Sequence, residues 1–387
     1  MSAIPEKIQA DWDPRSDIVL SDQIKAYDKM RQRCPVAYSD YLGWSLFRHG
    51  DVVRALDDYH VFSSAVSSHL SVPSGMDPPR HTAYRRLIER HFEHGRVEAF
   101  EPRCRSISAN LVSGLKRGVE IDLVTRLAQR FAIRIQCAFL GWPDSLHEPL
   151  LAWVRRNHEA TLAKDTGAMA AIALEFDGYI GELLEARRQS GPAAPDDVTT
   201  SLLQEWIDDR RLSHDEIVSI LRNWTVGELG TITACVGILG HHLAQNQELQ
   251  QKLREDLSLL PTAIDEILRL HPPLISNRRV TTRSVEIGGR RIAAGERITL
   301  MWASANRDEA IFGDPDEVRF DRDPERNLLY GRGIHVCPGA QLARLELRVL
   351  MEEFLKGTRQ IAPVPAQQAV CAVYPAGGFS ALPLFVI

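Results

Sequence analysis

The stretch YGRGIHVCPGAQLAR, residues 330–344, decides the fold of this 387-residue chain. Cys337 lies between a glycine-rich loop and a run of residues with helical spacing. Gly331 and Gly333 allow the backbone before the cysteine to approach another group closely. Pro338 is favoured at the first position of a helix, so we predict that a helix begins there. The N-terminus of a helix stabilises a thiolate, which suits a nucleophile or a single metal ligand.

The predicted helix after Cys337 carries one apolar stripe and ends at Gly357. The stripe consists of Leu342, Leu345, Val349, Leu350 and Phe354. Taken alone, a cysteine in such a position is more often a small buried hydrophobic residue. The other five cysteines are scattered and form no C-x-x-C pair, which argues against a zinc site, an iron–sulfur cluster or a disulfide framework.

The residues around Cys337 resemble the haem-binding loop of the cytochrome P450 family, usually written F-G-x-G-x-H-x-C-x-G-x-x-L-A-R. The matching positions are Gly331, Gly333, His335, Cys337, Gly339, Leu342, Ala343 and Arg344. The resemblance implies that Cys337 is the metal ligand, the axial thiolate of a haem iron, and that Gly331 and Gly339 belong to the cofactor-binding loop. Tyr330 replaces the family's phenylalanine, which implies slightly altered electronic properties of the iron.

Three further segments resemble family landmarks, so the resemblance extends over nearly the whole chain. They are MDPPRHTAYRRL at 76–87, DEILRLHPPL at 265–274 and SANRDEAIFGDPDEVRFDRDPERN at 304–327. Glu266 and Arg269 match the family's structural E-x-x-R pair. The resemblance implies a cytochrome P450 fold with a long central helix over the haem. It also implies a single haem domain over residues 1–387, with no fused reductase.

The same resemblance assigns the residues that bind the haem propionates. His81 and Arg85 are four residues apart, so they share one face of a helix. Arg279 and His335 match two further propionate contacts, and the adjacent Arg278 is an alternative to Arg279. Charge-assisted hydrogen bonds are the physical reason for these residue types. The implied cofactor is haem b, iron protoporphyrin IX.

Hydrophobic periodicity independently predicts a mainly α fold with a small β region. Helical spacing covers most of residues 80–270, and the longest run starts at Ser213, which has capping-box spacing to Glu216. That run continues for about 30 residues and is apolar nearly all round, which is typical of a helix through a core. Strand patterns occupy 36–49 and 278–308, the latter with a hairpin turn at IGGR, and the tail 372–387 suggests a short strand pair.

The long helix contains TVGELGTIT at 225–233, which resembles the family's A-G-x-D/E-T segment. Thr231 matches the alcohol of the family's acid–alcohol pair, but Gly230 stands where the acid belongs. Glu228, three residues before Thr231, shares its helical face. We expect Thr231 and Glu228 to be catalytic and, with water, to supply protons to dioxygen. The alternative for Thr231 is a hydroxyl that bonds back to a helix carbonyl.

The resemblance implies an oxidoreductase, because a thiolate ligand donates electron density that favours O–O cleavage. The expected enzyme is a monooxygenase that hydroxylates or O-dealkylates a small or medium organic substrate. Its electrons are expected from a ferredoxin or another reductase. The docking patch predicted for that partner consists of Arg86, Arg90, Arg344 and Arg348. The segment around Thr231 also resembles the haem domains of bacterial self-sufficient enzymes.

Three alternatives stay open from the sequence. The missing acid before Thr231 suggests a haem-thiolate peroxygenase that uses peroxide. A non-catalytic haem protein that senses a gas is a second alternative. A helical interaction protein without a cofactor is the third, although it leaves the ordered motifs unexplained.

Charge and composition exclude several other classes. The net charge is −5, so nothing points to nucleic acid as a partner. No window approaches the roughly 18 apolar residues that span a bilayer, so no membrane partner is expected. The polar amino terminus has no signal-peptide pattern. We therefore predict a cytoplasmic protein.

Overall fold

The structure is a computed structural model that describes residues 8–365, 367–372, 374 and 376–387. The helices are α1 (Asp17–Ser21), α2 (Gln23–Arg33), α3 (His49–Asp57), α4 (Arg80–Glu89), α5 (His94–Ser113), α6 (Gln129–Leu140), α7 (His147–Ala163), α8 (Thr166–Ser190), α9 (Val198–Leu202), α10 (His214–Gln245), α11 (Gln247–Glu255), α12 (Leu260–Leu270), α13 (Trp302–Ala305), α14 (Glu309–Phe312) and α15 (Ala340–Gly357). The strands are β1 (Val36–Ser39), β2 (Gly43–Leu46), β3 (Phe62–Ser63), β4 (Val119–Asp122), β5 (Trp206–Ile207), β6 (Arg210–Arg211), β7 (Asn277–Thr281), β8 (Val285–Ile287), β9 (Arg290–Ile292), β10 (Arg297–Leu300), β11 (Ile361–Pro363), β12 (Val370–Cys371), β13 (Phe379–Ala381) and β14 (Pro383–Val386).

The chain divides into two units. Unit 1 comprises residues 8–68, Gly75–Asp77 and Arg269–Cys337, and unit 2 comprises His69–Ser74, Pro78–Leu268 and Pro338–Ile387. The expectation of one haem domain over residues 1–387 stays a prediction. No helix among the described residues is both long enough and apolar enough to cross a membrane.

Unit 1 is built on a five-stranded sheet with the strand order β1-β2-β10-β7-β3. The neighbours pair antiparallel except β2 and β10, which run parallel. The sheet buries a core with members such as Trp44, Phe62 and Ile298. Strands β8 and β9 form the hairpin predicted at IGGR. Its turn residues Gly288 and Gly289 have φ of +56° and +75°, which is the conformation that such a turn requires.

A buried ion-pair network in unit 1 fastens α2 to the segment after β10. Asp28 accepts hydrogen bonds from Arg31 Nη1 at 2.7 Å and from Arg307 Nη2 at 2.8 Å. Arg31 also donates to Glu309 Oε2 at 2.8 Å. Both arginines are almost fully buried. A buried guanidinium without an anion is strongly destabilising, so this part of the fold depends on the carboxylates.

Unit 2 contains α4 to α11, most of α12, and α15, with a three-stranded sheet in the order β11-β14-β4. Helix α10 has 32 residues, and the Ser213–Glu216 capping box at its start is present as predicted. The tail forms two strands, but β13 pairs with β12 whereas β14 pairs with β4 and β11. Positions 373 and 375 of that tail lie outside the described residues. The predicted mainly helical fold with a small β region is confirmed.

Hydrogen bonds to one carboxylate tie α4 to the start of α10 within unit 2. The Tyr84 hydroxyl on α4 donates to Glu216 on α10. Arg210 on β6 donates from Nη1 to Glu216 Oε2 at 2.8 Å and from Nη2 to Oε1 at 2.7 Å. The Arg210 guanidinium, aided by Tyr84 and the capping box, lowers the pKa of Glu216 to about 2. The first turn of the longest helix is therefore fixed relative to α4.

Candidate active site

Two glycines shape the loop of unit 1 that ends at Cys337. Gly331 has φ +75° and Gly333 has φ +71°, values that residues with a side chain rarely adopt. The Cys337 N–H donates to the carbonyl of Tyr330 at 2.8 Å, which closes the loop. The Cys337 thiol is exposed. This donor set fits a haem, because the porphyrin supplies four nitrogens and the protein needs to add one axial ligand.

The loop rests against the last turn of α3, also in unit 1. A Cβ atom on Gly333 would lie 2.6 Å from the carbonyl oxygen of Leu56. Arg332 Nε donates to Asp57 Oδ2 at 3.0 Å. At Gly331 the nearest atom to an added Cβ would be 3.7 Å away. The two glycines therefore serve different purposes: Gly331 supplies a backbone angle, whereas Gly333 also supplies close contact.

The helix after Cys337 begins later than predicted. Pro338 and Gly339 form a turn, and α15 starts at Ala340 with Gly339 as its N-cap. The prediction that Pro338 is the first helical residue is therefore wrong, because the chain must first turn before it can enter the helix. All five residues of the predicted apolar stripe are buried, and Gly357 ends the helix as predicted.

Arg269 and Asn306 hold the segment that leads into the Cys337 loop. Asn306 Oδ1 accepts from the N–H of Leu328 at 2.8 Å. Arg269 Nη1 donates to the Asn306 carbonyl at 2.8 Å and Nη2 to the Pro315 carbonyl at 3.0 Å. The Arg269 guanidinium lies 4.9 Å from the centre of the Phe312 ring. Both residues are structural supports: Arg269 donates to backbone carbonyls, and the Asn306 side chain accepts from a backbone N–H.

Arg279 on β7 is a buried cation of unit 1 without a paired anion. Its side chain donates to the carbonyl of Arg278 at 2.7 Å, and none of the described carboxylates lies within ion-pairing distance. Burial lowers the pKa of Arg279 to about 10, although the Asp77 carboxylate offsets part of that effect. Arg278, the alternative, is exposed. A buried guanidinium of this kind fits an anionic group such as a haem propionate.

The other predicted propionate contacts lie on short helical segments. His81 and Arg85 are on α4 in unit 2, where His81 is buried and Arg85 Nε donates to Glu89 Oε1 at 2.7 Å. His335 ends the 3-10 turn Gly333–His335 in unit 1 and is half-buried. Each residue carries a donor that suits a carboxylate.

Helix α10 has an open face in its middle, although the sequence predicts burial nearly all round. Val226, Gly227 and Gly230 are exposed, and nothing lies within 4 Å of a Cβ atom added to either glycine. Thr231 borders this face, and its hydroxyl donates to the Gly227 carbonyl at 2.6 Å. The structure therefore contains the alternative given for Thr231, a hydroxyl that bonds back to a carbonyl of its own helix. The exposed positions of this face, Val226, Gly227 and Gly230, carry no acid.

Glu228 lies next to that face, but its carboxyl is directed to a second acid. Glu228 Oε1 is buried, and no hydrogen bond joins it to Thr231. Its neighbour is Glu346 on α15, a fully buried residue. Burial raises the pKa of both carboxyls, and the adjacent Glu228 raises that of Glu346 further, well above its usual range. The structure therefore brings Glu228 to Glu346 rather than to Thr231.

Sequence reasoning missed Glu346, although a signal was present. Glu346 is four residues after Leu342 and four before Leu350, so it lies on the apolar stripe of α15. A carboxyl on a buried stripe is rare unless it has a partner or a function. The position of Glu346 on the apolar stripe is therefore enough to predict a buried acid.

Three of the four arginines predicted to form a docking patch are already paired with carboxylates. Arg90 bonds to Glu205, Arg344 to Asp265, and Arg348 to Glu101 and Glu352. Arg86 is exposed, and no carboxylate of the described residues forms an ion pair with it. Neighbouring carboxylates therefore already balance most of the positive charge of the predicted docking patch.

Comparison with known proteins gives consistent matches. The family model described as Cytochrome P450 matches residues 161–359. The cyclomarin C epoxidase CymV of Salinispora arenicola is 33% identical over 328 residues, which cover 80% of this chain and 82% of the relative. The vitamin D(3) 25-hydroxylase of Pseudonocardia autotrophica is 31% identical, over 87% of this chain and 86% of that protein.

Solved structures show the same similarity. Ligand-free cytochrome P450 TbtJ1 superimposes with a TM-score of 0.86 at 30% identity and covers 95% of this chain and 98% of its own. A mutant of P450 EryK in complex with erythromycin B gives a TM-score of 0.85 at 27% identity, over 95% and 96% of the two chains. The similarity extends over nearly the full length of each solved chain rather than over one motif.

Proposed function

This chain belongs to the cytochrome P450 family and is a monooxygenase, and we propose that it hydroxylates or O-dealkylates a small or medium organic substrate. Relatives named as an epoxidase and a 25-hydroxylase support oxidation of an organic carbon skeleton. The cofactor of the family is haem, which supplies the oxidising chemistry when it is bound. A cytoplasmic location remains part of this proposal.

The observation that carries the proposal is the Cys337 loop. An exposed thiol at the end of a loop with two positive-φ glycines offers one thiolate, and a backbone hydrogen bond from Cys337 to Tyr330 closes that loop. We propose that Cys337 would supply the thiolate that holds haem b. The residues that would hold its propionates are Arg279, His81, Arg85 and His335. Arg279 is best supported, because it is buried and no described carboxylate forms an ion pair with it.

Spectroscopy of the reduced, carbon-monoxide-bound protein tests the ligand. A strongly red-shifted Soret band is expected for the wild type, because thiolate ligation produces it. Cys337→Ser should lose that band. Cys371→Ser is the matched control, since Cys371 is the other exposed cysteine of the described residues, and it should keep the band. Loss of the band in the control instead, or no bound haem in the wild type, would contradict the assignment.

We propose that dioxygen and the substrate react beside the open face of α10, as the resemblance of this segment to the family's implies. Thr231 would give up its 2.6 Å hydrogen bond to the Gly227 carbonyl and would turn its hydroxyl toward the open face, where it would donate to dioxygen. Thr231 would pass on its hydroxyl proton. Glu228 would then supply, through water, the proton that restores the Thr231 hydroxyl. The small side chains at Gly227 and Gly230 leave room for an organic substrate beside the hydroxyl.

The proposed electron donor is an acidic ferredoxin. Arg86 supports this as an exposed cation with no ion pair among the described residues, but Arg90, Arg344 and Arg348 are paired. Reduction rates should therefore fall with salt only modestly, and Arg86→Glu should lower them more than Arg344→Glu. Rates that are independent of both salt and Arg86 would exclude docking at this position.

A peroxide-driven reaction is a second candidate, and one observation favours it. Gly230 leaves the open face without an acid, and the Glu228 carboxyl is beside Glu346 instead. A site of this kind is poorly supplied with protons for dioxygen. Product formation with hydrogen peroxide, in the absence of any ferredoxin and at a rate that matches the reductive system, would favour the peroxygenase. A spin shift across a panel of organic molecules would identify the substrate class in both cases.

A further inference from the structure

Two buried acids of unit 2 face one another without a compensating cation. Glu346 on α15 is fully buried, and neither of its carboxyl oxygens has a hydrogen-bond donor among the described residues. Glu228 Oε1 on α10 is likewise buried without a donor. Two ionised carboxyls accept hydrogen bonds but donate none, so the pair cannot satisfy itself while both are charged.

The titratable groups around the pair do not neutralise it. Glu346 is near the buried thiol of Cys104 on α5, and Glu228 is near the buried thiol of Cys235 on α10. Asp265 on α12 also acts on Cys235, but its charge is balanced by Arg344 of α15 at 3.0 Å. In the part of the chain that the structure describes, no arginine, lysine or histidine is among the groups that act on the charge of Glu228 or Glu346. The surroundings therefore favour the uncharged state of both carboxyls.

If one of the two carboxyls is protonated, it can donate a hydrogen bond to the other. A neutral Glu346 becomes a hydrogen-bond donor, and among the described residues the carboxyl that acts on it is that of Glu228. Glu346 is the more deeply buried of the two residues, since Glu228 borders the open face of α10. Glu346 is therefore the member that keeps its proton, and Glu228 the member that can exchange one with solvent.

We propose that Glu346 is a positioning residue that remains protonated and donates a hydrogen bond to Glu228, so that Glu228 can release and regain a proton although it is buried. When Glu228 acts, its own O–H bond breaks and the proton passes to the oxygen of a water molecule on the Thr231 side of α10. The hydrogen bond from Glu346 then stabilises the Glu228 carboxylate, and a proton from solvent restores it. This inference rests on the proposed function, in which Glu228 supplies protons.

Infrared difference spectroscopy of the holoenzyme in a pH titration tests the pair directly. The wild type should show two bands of protonated carboxylic acids that shift in D₂O, one lost in Glu228→Gln and the other in Glu346→Gln. With rising pH, the Glu228 band should disappear first. Glu352→Gln is the control on the same helix. Its carboxyl is paired with Arg105 and Arg348, which hold its pKa below the usual range, so neither band should change.

Two substitutions at Glu346 separate hydrogen bonding from packing. Glu346→Gln keeps a donor and the same shape, so Glu228 should titrate close to its wild-type pH. Glu346→Leu removes the donor, so the Glu228 midpoint should move up by about one pH unit or more, a tenfold change in proton affinity. If Glu346→Leu does not fold, Glu346→Gln still assigns the Glu346 band, and the order in which the two wild-type bands titrate decides. The inference would be overturned if the Glu346 band disappeared at a lower pH than the Glu228 band. It would also be overturned if the Glu228 midpoint were the same in Glu346→Leu as in the wild type.

Measuring how much of the consumed reductant appears in product tests the proposed function separately from this inference. The fraction of reductant that appears in product should fall in Glu228→Gln if Glu228 supplies protons. Unchanged coupling in that variant would remove Glu228 from the proposed reaction. The infrared titration would still decide whether Glu346 controls the protonation of Glu228.

Discussion

The two positive-φ glycines before Cys337 should differ sharply in their tolerance of a side chain. Gly331→Ala places an alanine at φ +75° with its Cβ no closer than 3.7 Å to other atoms, so only the backbone conformation is penalised. That penalty is about 1–2 kcal/mol. Gly333→Ala has the same penalty at φ +71° and adds a contact at 2.6 Å with the Leu56 carbonyl oxygen. Overpacking of that kind adds about 1–3 kcal/mol, which makes the total about 2–5 kcal/mol.

The assay is denaturant unfolding of the holoenzyme, followed by the Soret band and by the spectrum of the carbon monoxide complex. Gly333→Ala should unfold at lower denaturant than Gly331→Ala and should lose part of the thiolate band, because the loop must move away from α3. Gly289→Ala is the control, since it shares φ +75° in the β8–β9 turn and has nothing within 4 Å. It should lose stability as Gly331→Ala does and keep the band. Equal losses for Gly331→Ala and Gly333→Ala would refute the close-contact argument.

Three further outcomes are expected. Arg279→Gln should weaken haem retention in a transfer assay to apomyoglobin, because a buried donor is lost, whereas Arg278→Gln at the exposed neighbour should not; equal effects would contradict the assignment. Thr231→Ala should uncouple reductant use from product formation, and unchanged coupling would count against its role. The folded-state pKa of Glu346 lies above the ordinary 4.5, so the native state binds the extra proton and loses stability as pH rises above 4.5. Relative to wild type, Glu346→Gln should therefore gain unfolding free energy as pH rises above 4.5, by at most about 1.4 kcal/mol per pH unit, and a difference that stays constant with pH would argue against a raised pKa.

Periodic patterns and local motifs were enough to predict the main elements. The capping box at Ser213, the length of α10, the hairpin at Gly288–Gly289 and the apolar stripe of α15 all depend on residues close in sequence. The start of α15 was predicted two residues too early. A proline is compatible both with a first helical turn and with the turn that precedes it.

Contacts between distant residues set the limits of the prediction. Glu228 was expected beside Thr231 because three residues separate them, but the carboxyl is directed across to Glu346, more than a hundred residues later in the chain. Arg279 and Arg278 could not be told apart by sequence, since alternation along β7 decides which one is buried. The pairing of β14 with β4 likewise joins segments that no local pattern relates.

The network around Asp28 has a practical consequence for shortening the protein. Residues before α2 can be removed without touching either buried guanidinium, but a deletion that extends past Tyr27 takes away Asp28, the anion shared by Arg31 and Arg307. Two cations would then remain in the interior with fewer partners. Trimming the amino terminus for crystallisation or for fusion to a reductase should therefore leave α2 intact together with its N-cap Asp22 and with Asp11, which bonds to Tyr38 and Arg290.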